Sequence, residues 1–141
     1  MYESCLAKQQ HIKELFDSCA DREARYQKII DLGKSLSSLD STYKVEDNLV
    51  KGCQSQMYIR AYSQDGLIVF EGESDALISQ GLAALLIMVY SHETPEVILK
   101  CPPNYLEELE IAASLTPSRA NGLYSVHLRM KRDALKLLIA K

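Results

Sequence analysis

A chain of 141 residues with 47% hydrophobic and 25% charged side chains has the make-up of one soluble globular domain and excludes a disordered, collagenous or fibrous protein. A domain of this size buries roughly 68–70% of the surface its unfolded chain exposes, so neither disulfides nor a structural metal is needed to stabilise it. The net charge of −3 is unevenly spread: residues 117–141 carry Arg119, Arg129, Lys131, Arg132, Lys136 and Lys141 against Asp133, a net +5, whereas residues 49–116 stand at −6.

Ile12, Leu15, Phe16 and Cys19 recur at helical spacing and predict a first amphipathic helix. Asp21 is placed to cap a second, with an apolar stripe of Tyr26, Ile29, Ile30, Leu32 and Leu36. Gly33 weakens that helix by about 1 kcal/mol relative to Ala, which points to close packing or an early end. The period then changes. Residues 43–50 are expected to form a strand, with Lys51-Gly52-Cys53-Gln54-Ser55 as the connection at its end. Met57, Ile59 and Ala61 alternate with Tyr58, Arg60 and Tyr62; Asp65-Gly66 supplies a turn, and residues 67–71 complete a hairpin with Ile68 and Phe70 on one face. Ser74-Asp75 is expected to cap a central core helix over residues 76–90, with Leu77, Ile78, Leu82, Leu85, Leu86 and Val89 apolar around most of its circumference. Thr94-Pro95 and Thr116-Pro117 each place a hydroxyl N-cap before proline and start further helices. Helices, then strands, then helices give a single α+β domain over residues 1–141, with a small antiparallel sheet of about three strands packed against helices. The longest apolar run, residues 82–90, falls well short of the roughly 18 residues of a membrane span.

Cys5, Cys19, Cys53 and Cys101 form no CxxC pair and have no histidine close enough to complete a metal set, so no metal site is expected. Cys53 stands apart because it lies between Gly52 and the polar Gln54-Ser55-Gln56 at a strand connection, where a thiol can reach another molecule. It is the best nucleophile candidate; the alternative is an unreactive cysteine in a turn. Cys19 falls on the first helix's stripe and reads as core, Cys5 as part of a frayed terminus, and Cys101, before Pro102-Pro103, as an exposed loop residue. Arg119 would sit in the first turn of the last helix, where the macrodipole disfavours a cation. It therefore either pairs with an acid elsewhere or is held near an anion or a thiolate. His11, His92 and His127 are isolated, and no GxGxxG, P-loop, HExxH or GxSxG occurs, so a cofactor-dependent enzyme gets no support. The basic C-terminal segment lacks interleaved aromatics apart from Tyr124, which favours a solvated or protein-facing surface over an RNA-binding one. The segment Met1-Tyr2-Glu3-Ser4-Cys5 lacks the order of a secretory signal, and a reducing cytoplasmic location is expected.

Gly52-Cys53-Gln54-Ser55-Gln56 resembles the cysteine motif of the SufE/CsdE family of sulfur acceptors for cysteine desulfurases. Other landmarks follow in family order. Arg25-Tyr26 with Ile29-Ile30-Asp31-Leu32-Gly33 resembles the N-terminal helix, Gly72-Glu73-Ser74-Asp75 with Gly81-Leu82 the central helix start, and Tyr90 with Thr94-Pro95 its exit. Leu115-Thr116-Pro117-Ser118-Arg119-Ala120-Asn121-Gly122-Leu123 looks like the C-terminal signature. Met57-Tyr58 departs from the Val-Trp that members commonly carry, and the residues before the motif have their own wording. The resemblance implies a fold like that of the iron-sulfur scaffold proteins and a role in iron-sulfur cluster assembly. In that role a SufS- or CsdA-type desulfurase, holding the pyridoxal phosphate, delivers a persulfide sulfur to Cys53. The sulfur then goes to a SufB-type scaffold or another acceptor, and this chain binds no cofactor of its own. The resemblance further implies a sheltered Cys53 that swings out on the partner, with Gly52, Gln54, Ser55, Gln56 and Arg119 as partner contacts or loop supports. The alternative is a noncatalytic adaptor, or an RNA-binding module using the basic C-terminal helix.

Overall fold

The computed structural model describes residues 2–140. Among these residues six α-helices and one hairpin follow one another: α1 Glu3–Leu15, α2 Arg22–Lys34, β1 Met57–Gln64, β2 Leu67–Ser74, α3 Leu77–Tyr90, α4 Pro95–Lys100, α5 Asn104–Glu108 and α6 Pro117–Ile139. Short 3₁₀ turns occupy Ser41–Tyr43, Glu46–Asn48 and Ala112–Ser114. The class is α+β, as expected, with the strands paired antiparallel in the register Met57↔Ser74 to Gln64↔Leu67. Asp65 and Gly66, at φ of 55° and 82°, make the two-residue turn that a right-twisted hairpin favours.

The sheet has two strands instead of about three. Residues 43–50 do not form a strand, because their backbone groups are bound by side chains. Asn48 Nδ2 donates to the Tyr43 carbonyl at 2.7 Å. Arg129 Nη2 donates to the Asp47 carbonyl at 2.7 Å and Nη1 to that of Leu49 at 3.2 Å. What survives of strand pairing is one bridge between Leu49 and Tyr58 and a bond from Val50 N–H to the Met57 carbonyl at 2.7 Å, which closes the neck of the loop holding Cys53.

Helix α3 is the core of the molecule, and Leu82, Ala83, Leu85, Leu86, Val89 and Tyr90 along it are buried. Leu77, expected on its apolar circumference, is instead 63% exposed, because it lies at the helix start beyond the packed layer. α2 crosses α3 so closely that a Cβ on Gly81 would stand 2.1 Å from the Ile29 carbonyl oxygen, and one on Gly33 would stand 2.6 Å from the Gly81 nitrogen. Gly33 therefore serves close packing, and α2 still runs through it to Lys34.

The caps at Asp21, Thr94 and Thr116 form as predicted: each side chain accepts a backbone N–H three residues on, from Ala24, Val97 and Arg119. Ser74-Asp75 acts differently. The α3 N-cap is Ala76, whose N–H donates to Ser74 Oγ at 3.3 Å, while Asp75 Oδ1 accepts from Gln56 N–H at 3.1 Å and so ties the cysteine loop to the start of α3.

Two cysteines also lie elsewhere than expected. Cys5 and Cys101 are buried, bridged by Gln9, whose Nε2 donates to Cys101 Sγ at 3.6 Å, to Cys5 Sγ at 3.8 Å and to the Pro102 carbonyl at 3.0 Å. The segment expected to fray is pinned there, with Lys8 and Ser4 also bound to the buried Glu93. Cys19 packs half-buried against the core, as expected, although it lies past the end of α1.

Candidate functional site

Cys53 sits in the loop of residues 51–56, between the Val50–Met57 neck and the Asp75 tie. Gly52 makes the turn before it at φ 90°, a backbone state that a β-carbon disfavours. A Cβ there would also stand 2.5 Å from Ser125 Oγ, the hydroxyl that donates to the Gly52 carbonyl at 3.4 Å. Gly52 thus lets the loop lie against α6 and turn the thiol inward. Cys53 Sγ donates to the Gly122 carbonyl at 3.7 Å. Around it a cavity of about 10 Å³, lined by Met57, Leu82, Gly122 and Val126 among others, is at the lower limit for a single water.

Arg119 projects from the first turn of α6 to the same place. Its Nη1 donates to Ser79 Oγ at 2.6 Å and to Ser55 Oγ at 3.4 Å, and among the described residues it forms no ion pair. Ser55 Oγ in turn donates to Ser79 Oγ at 2.7 Å and lies 3.3 Å from Ser74 Oγ. Two forces act on the thiol. Burial, the larger, pushes the Cys53 pKa up, and the Arg119 charge pulls it down. The guanidinium lies by the first turns of both α3 and α6, where the helix dipoles are positive, so the place is electropositive, and no carboxylate among the described residues pairs with it.

The site brings together Cys53, Gly52, Ser55 and Arg119 from the sequence-derived set. Gln54 is exposed at the cavity rim, and Gln56 takes part through its backbone, its own side chain facing outward. Of the two possibilities open for Arg119, pairing with a distant acid does not occur among the described residues. Sequence reasoning passed over Ser79 and Ser125. Ser79 was detectable as the one serine within the largely apolar helix of residues 77–90, since a buried polar group needs a partner. Ser125 carried no such signal.

The basic C-terminal face is smaller than the sequence implied. Arg129 is buried: its Nε donates to both carboxylate oxygens of Asp133, and its other nitrogens to backbone carbonyls of residues 47, 49 and 59. With Arg119 also turned inward, Lys131, Arg132 and Lys136 remain on the outer face among the described residues, which do not include Lys141, beside the exposed Tyr124, Leu128, Leu135 and Ile139. A groove of about 900 Å³ between this helix and residues 46–51 is lined by no cysteine, so its size does not make it the reactive site. No group of three or more His, Cys, Asp or Glu among the described residues converges to hold a metal ion. None of the helices is long and apolar enough to cross a membrane.

The family described as "SufE: Fe-S metabolism associated domain" matches residues 10–134. An uncharacterized SufE-like protein of Synechocystis is 39% identical over 88% of this chain and 78% of its own length. The Arabidopsis thaliana SufE-like protein 1, chloroplastic/mitochondrial, is 38% identical over 92% of this chain, which spans only 35% of that longer protein. A solution structure of a hypothetical protein from Thermus thermophilus superposes with a TM-score of 0.76 at 25% identity, over 94% of this chain and 96% of that one. The chain belongs to the SufE family, whose role lies in Fe-S metabolism.

Proposed function

We propose that this protein accepts a sulfane sulfur on Cys53 from a SufS- or CsdA-type cysteine desulfurase, stimulates that enzyme by clearing its persulfide, and hands the sulfur on for iron-sulfur cluster assembly. The observation that carries this is the inward-turned thiol beside an unneutralised guanidinium, on a loop held to the helices by side-chain hydrogen bonds and not by secondary structure. In the transfer, the Cys53 thiolate attacks the outer sulfur of the desulfurase's Cys–S–SH group. A new S–S bond forms at Cys53, the donor's S–S bond breaks, and the donor leaves as a thiolate. The proton lost by Cys53 offsets the one regained by the donor, and no external oxidant or reductant is consumed.

Two requirements of that chemistry match the site. A persulfide must be kept from solvent, and the cavity against Gly122 and Leu82 leaves almost no room for water. The attacking sulfur must be a thiolate in line with the donor, and a loop can enter a partner's active site where a core helix cannot. At rest, burial keeps Cys53 protonated; once the loop swings out, that penalty falls away. The pyridoxal phosphate belongs to the partner, and a SufB-type scaffold or another acceptor receives the sulfur. Lys131, Arg132 and Lys136 can steer an acidic partner face toward the loop. RNA binding draws less support, because the inward Arg119 and Arg129 leave a short cationic patch.

Steady-state cysteine desulfurase turnover, measured with and without this protein, tests the proposal. Stimulation by the parent and none by Cys53→Ser is expected. Equal stimulation by both would instead indicate a noncatalytic adaptor.

A further inference from the structure

We infer that Ser79 is a positioning residue, a fixed acceptor on the core helix that holds the Arg119 guanidinium in the pocket that receives Cys53, so that the cation is in place each time the loop docks. Ser79 is the third residue of α3 and 5% exposed, so its hydroxyl is held by the buried core helix. Its oxygen accepts from Arg119 Nη1 at 2.6 Å and from Ser55 Oγ at 2.7 Å, which occupies both lone pairs. The two donors have different fates. Ser55 belongs to the loop and leaves with it, whereas Arg119 belongs to α6 and stays.

Apart from Ser79, the guanidinium's acceptor among the described residues is Ser55 Oγ at 3.4 Å, which leaves with the loop. Arg119 lies at the positive ends of two helices and forms no ion pair among the described residues, so electrostatics alone would drive it toward water. The hydroxyl opposes that drift. Charged groups near the loop include Arg119 from α6, Asp75 from the β2–α3 junction, the loop's own Lys51, and Glu46, Asp47, Arg129, Arg132, Asp133 and Lys136 along the groove that Lys51 lines; of these, Arg119 is the one whose charge acts on the Cys53 thiol. The inference deepens the sulfur-acceptor proposal, since a held cation matters only to a sulfur that must carry negative charge.

The test is the pH dependence of Cys53 alkylation by iodoacetamide, read by peptide mass spectrometry in the full chain. Ser55→Ala serves as the reference, because it frees the loop from Ser79, and from its longer 3.4 Å contact with Arg119, while leaving the 2.6 Å Ser79–Arg119 bond. Ser79→Ala is expected to show a midpoint above that reference by about half a pH unit, roughly threefold less thiolate at a given pH. The gap should vanish when Arg119→Ala is added to both, and Ser79→Thr should restore the parent profile. Equal midpoints in Ser79→Ala and Ser55→Ala, a gap that persists without Arg119, or no rescue by threonine would each overturn the inference. Sulfur uptake is not part of this readout. A chain that accepts no sulfur can still show the gap, and a chain without the gap can still accept sulfur, so the two proposals fail separately.

Discussion

The Cys53 thiol donates to the carbonyl of Gly122 at 3.7 Å, so the loop cysteine rests on the second turn of α6. Its burial there comes from loop placement, and a loop can be displaced without unfolding the domain.

That difference predicts an order of reactivity. Cys5 is held in the core with its pKa pushed up to about 12, chiefly by burial and then by its neighbour Cys101. Limited iodoacetamide on the native protein should therefore label Cys53 and the half-buried Cys19, and leave Cys5 and Cys101 unmodified until denaturant is added. Peptide mass spectrometry gives the order directly. Labelling of Cys5 as fast as Cys53 would mean that α1 opens in the native state.

Two glycines near the thiol should respond in opposite ways to alanine. Gly52→Ala places a β-carbon at φ 90° and 2.5 Å from Ser125 Oγ, and should cost about 1–2 kcal/mol, read as a lower thermal midpoint. Gly122→Ala brings its β-carbon only to ordinary contact, 3.8 Å from Cys53 Sγ, and should gain up to about 1 kcal/mol from helix propensity. Adding Ser125→Ala to Gly52→Ala should recover the steric part of the loss but not the backbone part.

His127 supplies a pH dependence. It is buried against Tyr90 with ring centroids 5.1 Å apart, and its Nε2 has no hydrogen-bond partner among the described residues. Burial, with a smaller push from Lys131, lowers its pKa from 6.5 to about 4. The folded state thus prefers the neutral ring, and the unfolded chain binds the extra proton between these values. Stability should be full above about pH 6.5 and fall as pH drops toward about 4, by about 3 kcal/mol at most. Denaturant unfolding at several pH values checks this. The slope in that window should be much reduced in His127→Phe, which keeps the ring stacking and removes the titration.

Much of the fold can be read from local pattern. The hairpin alternates with period two around an Asp65-Gly66 turn, and three helix starts carry their own capping side chains. The errors arise where distant residues decide. Residues 43–50 have the composition of a strand, but Arg129, some 80 positions away, binds their carbonyls. Cys5 and Cys101 look terminal or loop-bound in the sequence and are buried, because Gln9 joins segments 92 positions apart. The site divides the same way. Cys53 and Gly52 are visible as a thiol in a polar, glycine-led connection, whereas the Arg119–Ser79 bond spans 40 residues and two helices that no local spacing relates.

Sulfur acceptance itself is tested by incubating the protein with a SufS-type desulfurase and cysteine, then reading the Cys53 peptide by mass spectrometry without reductant. A gain of one sulfur atom on Cys53, absent from the other cysteines and from Cys53→Ser, is the predicted result. An unmodified Cys53 while the desulfurase turns over, or sulfur found on Cys19 instead, would contradict it.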